Sequence, residues 1–118
     1  MSPLATEIYK QLRRAISAAR PKHSITYKEL VELVRTKFPT HHRSPQLFTA
    51  LTEVTVACRE HDLPCLPAIV WSASSNRPSE GYYKAAHPRA RTDESRKTAW
   101  EREHAAVVLD AKKFPAAL

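Results

Sequence analysis

The sequence predicts one α+β domain, a three-helix core with a β-hairpin beside it and an added C-terminal helix. Three observations predict it. Three segments with apolar residues at helical spacing come first, each opened by a local start signal. A short β-branched run bounded by prolines and a polar stretch follows, and a last helical segment closes the chain. At 118 residues the chain holds one hydrophobic core and has no room for a second, so residues 1–118 form a single domain.

The first helix is expected over Leu4 to Arg20, with Leu4, Ile8, Leu12, Ile16 and Ala19 on its apolar face. Ser2 is its N-cap, Pro3 its first helical position, and Pro21 ends it. Lys10, Arg13, Arg14 and Arg20 lie opposite, and the plain reading of that face is solvated surface. The second helix has the clearest start. Thr26 accepts from the backbone N–H of Glu29 while the Glu29 side chain reaches back, a capping box, and Ile25 staples onto Leu30. Leu33, Val34 and Phe38 continue it, and Pro39 places its end near Lys37 or Phe38. After the basic connection Thr40 to Arg43, Ser44-Pro45 repeats the Ser-Pro start. Leu47, Leu51, Val54 and Cys58 then mark a third helix that ends before Pro64.

Leu66 to Ser72, with Ile69, Val70 and Trp71, reads as a strand, and Ser72 to Glu80 as a polar loop. Gly81 to Lys84 is the expected return strand, with Gly81 supplying a backbone geometry that other residues resist. Residues 66–84 would then be a β-hairpin with a long tip. Thr92 or Asp93 caps the final helix, in which Trp100, His104, Val107 or Val108, Ala111 and Phe114 recur until Pro115. This order is winged-helix-like, with the hairpin as the wing. Many such modules place their third helix in the DNA major groove.

Composition narrows the function. Apolar residues make up 42% and charged residues 26%, ordinary for a folded soluble domain. The single glycine, Gly81, excludes phosphate-binding glycine loops, the dinucleotide fingerprint and a glycine-built nucleophile elbow. A formal charge of +7 and a pI near 9.7 favour a polyanionic partner. No signal-peptide pattern, no membrane-length apolar run and only two cysteines, Cys58 and Cys65, point to a cytoplasmic chain without membrane attachment.

Ile25-Thr26-Tyr27-Lys28-Glu29-Leu30, a following helix, Leu63-Pro64-Cys65 and the later Gly81-Tyr82 resemble the winged-helix DNA-binding domain of the alkylguanine DNA alkyltransferases and the alkyltransferase-like proteins. This likeness spans about half the chain and implies a DNA-binding fold. In the transferases a Pro-Cys-His-Arg motif supplies the nucleophilic thiolate. Here Pro64-Cys65 is followed by Leu66-Pro67, so the likeness does not carry the nucleophile over to Cys65. Over nearly the whole chain, Ile25 to Leu30, Leu63 to Val70, Pro78 to Tyr83 and Trp100 to Glu103 resemble small bacterial proteins of unassigned function. Some of those resemble proteins found near toxin or restriction systems.

Other chemistry is thin. Cys58, His61 and Cys65 have a metal-like spacing, yet a structural zinc site needs a fourth ligand, and His41, His42 and His87 lie elsewhere in the chain. Cys58 also falls on the apolar stripe, and no metal or cofactor is expected. His104 shares a helix face with Trp100 and Val108, the edge of a core. Glu101, Glu103 and Asp110 alternate with Arg102, Lys112 and Lys113 as on a solvent face. No catalytic constellation and no small-molecule substrate emerge.

The charge is unevenly placed. Residues 1–44 hold nine Lys/Arg and three acids, whereas residues 45–66 hold one and three. The exposed face of the third helix, Gln46, Thr49, Thr52, Glu53, Arg59 and Glu60, has one guanidinium for base readout. The expectation is therefore a non-enzymatic module that binds DNA mainly through phosphates, using Lys22, Lys28, Lys37, His42, Arg43, Arg77, Lys84, Arg89 and Arg91. The alternative is an immunity protein or antitoxin that neutralises a cognate toxin through Glu53, Arg59, Glu60 and Asp62.

Overall fold

The computed structural model describes residues 1–18 and 20–118. It is helix-rich and α+β: α1 Pro3–Ser17, β1 Ile25–Thr26, α2 Tyr27–Val34, α3 Pro45–Glu60, β2 Val70–Trp71, α4 Glu80–Ala86 and α5 Asp93–Leu109. Helix α1 packs on α2 and α3, α3 also holds α4, and α5 lies against the 3-10 turn Leu66–Ile69. One core fills the space between them, with Ile8, Leu12, Leu30, Leu47, Val54, Leu66, Ile69 and Val107 fully buried. Among the described residues, no helix is long and apolar enough to cross a membrane.

The helix starts form as the local chemistry requires. Ser2 caps α1 by accepting from the Ala5 N–H, and Pro3 sits where a missing N–H costs nothing. Thr26 and Glu29 complete the capping box of α2, with Ile25 and Leu30 both in the core. Ser44 caps α3, and Thr92 caps α5 in a box closed by Ser95.

Helix ends fall short of the sequence expectation. Helix α1 stops at Ser17, because Ala18 is already extended and Arg20, before Pro21, is held extended as well. Ala19 lies outside the described residues. Helix α2 ends at Val34, and one further turn, with Phe38 N–H on the Val34 carbonyl, leads to Pro39. Helix α5 ends at Leu109, and a separate 3-10 turn, Ala111–Lys113, delivers Phe114 to the core.

Residues 66–84 do not form the expected hairpin. Leu66–Ile69 is a 3-10 turn, with Pro67 near its start, and only Val70 and Trp71 are strand. Their partner is β1, in parallel, with Ile25 opposite Val70 and Thr26 opposite Trp71. The expected return strand is helix α4. Tyr82 and Tyr83 are adjacent and both buried, which one face of a helix permits and a one-sided strand forbids. Ser79, ahead of α4, is held by Tyr27, and Glu80 takes both terminal nitrogens of Arg96 at 3.1 and 3.2 Å. Gly81 has no positive φ, and a Cβ there would meet Phe48 and Ser79 only at 3.9 Å, so the backbone does not demand glycine. After β2 comes a tight turn closed by the Ser72–Arg77 bridge, with Asn76 in the left-handed region.

Candidate functional site

Parallel pairing brings the carboxyl ends of β1 and β2 to the same edge, so the start of α2 and the turn after β2 emerge side by side. Between them, closed on a third side by the start of α3, lies a cleft of about 290 Å³. Its wall comes from Thr26, Tyr27 and Lys28, and from His42 and Arg43 in the loop before α3. Phe48 of α3, Ser72 to Ser74 of the turn and Ser79 complete it.

Tyr27 and Phe48 form the aromatic wall, ring centroids 5.5 Å apart. The Tyr27 hydroxyl donates to Ser79 Oγ at 3.0 Å and accepts the Ser79 N–H at 2.9 Å, tying the start of α2 to the start of α4. Burial pushes the Tyr27 phenol up, so this hydroxyl stays a donor at neutral pH. Lys28 and Arg43 are exposed, and neither has a carboxylate within ion-pair distance among the described residues. His42 stacks on His41 with centroids 4.2 Å apart. Desolvation, and then the neighbouring His41, Lys28 and Arg43, hold its imidazole below the ordinary histidine range. Among the described residues, no carboxylate lines the cleft. It offers an anion two fixed cations, a titratable ring and a row of hydroxyls beside an aromatic wall.

Of the nine residues expected to grip phosphate, the structure brings Lys28, His42 and Arg43 together here. The other six are elsewhere. Lys37 pairs with Glu7 at 3.7 Å, Arg77 with Asp93 at 3.1 Å and Lys84 with Glu80 at 4.0 Å. Lys22 sits in a left-handed turn, and Arg89 and Arg91 lie in the connection between α4 and α5. Tyr27, Phe48 and the serines were not singled out by sequence reasoning. Phe48 had a signal, an aromatic flanking the apolar stripe of α3, but Ser79 had none, because its link to Tyr27 spans 52 residues.

The residues expected to meet a partner protein divide as well. Glu53 binds the Ser2 N–H at 3.0 Å and its hydroxyl at 2.9 Å, and with Glu60 and exposed Val56 it borders a second groove, of about 510 Å³, on the outer side of α3. Arg59 turns instead to Glu103, at 2.6 Å, and Asp62 occupies a left-handed turn after the helix.

Cys58 and Cys65 are both buried and unbridged. His61 bonds back to the Ala57 carbonyl through Nδ1, and the three do not form a metal-ligating group. Burial, then the Glu103 carboxylate, pushes the Cys65 thiol up to about 12, far from a nucleophile at neutral pH. His104 donates or accepts nothing toward a cleft: its Nε2 lies 2.9 Å from the His23 carbonyl and its ring packs on Trp71. A scan against protein-family models finds no match to this chain, and searches of curated proteins and of solved structures find none either.

Proposed function

We propose that this chain is a non-catalytic, cytoplasmic nucleic-acid-binding module, winged-helix-like in its first three helices, that holds the phosphate backbone at the cleft between α2, α3 and the 72–77 turn. The observation that carries the reading is the isolation of Lys28 and Arg43. They stand in a concave surface free of carboxylates, while Lys37, Arg77 and Lys84 are each engaged by an acid. An unpaired cation releases counterions from a phosphate without first giving up an ion pair of its own. The Ser79 hydroxyl, and one of the Ser72 and Ser74 hydroxyls, which bond each other at 2.9 Å, add uncharged donors of the kind that position a backbone without reading sequence.

The test is a titration of labelled duplex DNA at several salt concentrations. Binding at about 50 mM salt should weaken steeply as salt rises, and Lys28→Ala with Arg43→Ala should lower the log–log salt slope by about 2. Absence of binding at that salt overturns the reading. Lys37→Ala and Lys84→Ala should have the smaller effects.

The second groove favours a different reading, a surface that covers a protein partner in the manner of an immunity protein or antitoxin. Val56 is an exposed aliphatic side chain flanked by the carboxylates of Glu53 and Glu60, in a chain whose net charge is otherwise positive. A cognate partner encoded beside this chain should co-purify with it and be lost on Val56→Lys with Glu60→Lys. Recovery of nucleic acid alone would exclude this reading.

A further inference from the structure

We propose that His42, whose ring packs against His41 at the wall of the cleft, couples phosphate binding there to proton uptake, so that the module grips a polyanion more tightly as pH falls through the histidine range. The inference rests on the nucleic-acid reading above and adds a regulation to the same site.

Geometry supplies the argument. His41 Nδ1 accepts the Arg43 N–H at 3.1 Å, so in this arrangement Nδ1 carries no proton and the ring's hydrogen sits on Nε2. His42 lies against His41, 4.2 Å between centroids, and shares the cleft with Lys28 from α2 and Arg43 from its own loop. Every charged group facing it is a cation. Tyr27 is neutral and engaged with Ser79, while Phe48 of α3 and the serine-rich turn bring no charge. With the cleft free, a positive charge on the His42 imidazole meets only repulsion, and the neutral ring is favoured.

A phosphodiester held between Lys28 and Arg43 reverses the sign of that field. An imidazolium can then donate a charge-assisted hydrogen bond to a phosphate oxygen, so the proton and the phosphate bind together. Linkage sets the size: uptake of one proton raises affinity by about tenfold per pH unit at most, within the window where the histidine titrates.

The experiment measures affinity for a short DNA duplex at constant ionic strength from about pH 8 to about pH 5.5, where phosphodiesters themselves do not titrate. Wild-type affinity should rise several-fold toward low pH. His42→Gln should flatten the rise, while His61→Gln, outside the cleft, should leave it intact. As a check that needs no variant, binding heats in two buffers of different ionisation enthalpy should show net proton uptake near the histidine range. Zero uptake, or the same pH slope in wild type and His42→Gln, overturns the coupling and leaves the nucleic-acid reading standing. No binding at any pH overturns that reading and the coupling with it.

Discussion

Trp71 and Trp100 share one acceptor: both indole N–H groups donate to the Ala68 carbonyl, at 2.9 and 3.0 Å, with the two rings edge-on and 5.2 Å apart. The pair locks the end of the 66–69 turn and β2 to α5, and thereby holds in place the edge from which the cleft-forming turn departs. Buried tryptophans need such a partner for the indole N–H, and here one carbonyl with two lone pairs serves both.

Trp100→Phe removes one of these bonds and part of a buried ring. The expected cost is about 1–3 kcal/mol, seen as a lower denaturant midpoint with an unchanged slope. A midpoint equal to wild type would show that the Trp71 bond alone holds the turn.

Tyr27→Phe takes the acceptor from the Ser79 N–H and the donor from its hydroxyl, at a cost of about 1–2 kcal/mol. The loss should be local. Amide hydrogen exchange should quicken from Tyr82 to His87, in α4 and at its C-cap, while α1 keeps its protection. Uniform change across the chain would mean that the hydroxyl stabilises the whole fold and not the entry to α4.

Glu29 predicts the acid behaviour of α2. The Thr26 backbone N–H is the largest influence holding its carboxyl below the ordinary range, aided by the Thr26 hydroxyl and Arg20. A carboxyl depressed in the folded state stabilises above its unfolded value, about 4.3, and that contribution disappears as pH falls through the lower folded value. Glu29→Gln, which keeps a capping side chain without its charge, should therefore lose stability near neutral pH. Its unfolding midpoint should also fall less than that of wild type between pH of about 5 and about 3. Parallel midpoint curves would contradict this assignment.

Cys58 and Cys65 should be silent toward thiol reagents in the folded protein near pH 8, close enough to the ordinary thiol value of about 8.5 for a free cysteine to react. Burial pushes both thiols up, Cys65 to about 12. Both should react once denaturant opens the core. A fast-reacting thiol in the native state would show a solvent path that the packing around Leu66 and Glu103 does not contain.

The sequence by itself determined what depends on neighbours three or four residues apart. Ser2-Pro3, Thr26 with Glu29, Ser44-Pro45 and Thr92 each satisfy helix N–H groups from within their own turn, so four helix starts were legible. The uneven charge was legible for the same reason, since it is a property of composition along the chain. Tertiary structure decided the rest. Residues 80–86 became a helix because Tyr27 holds Ser79 and Arg96 holds Glu80, contacts that span 52 and 16 residues. The short β2 runs parallel to β1, 45 residues away, and that pairing sets Lys28 beside Ser72 and makes a cleft out of segments that look unrelated in sequence. Which cations are free was decided there too. Lys37 and Arg77 meet Glu7 and Asp93, whereas Lys28 and Arg43 meet no acid among the described residues, and only the folded chain fixes those distances.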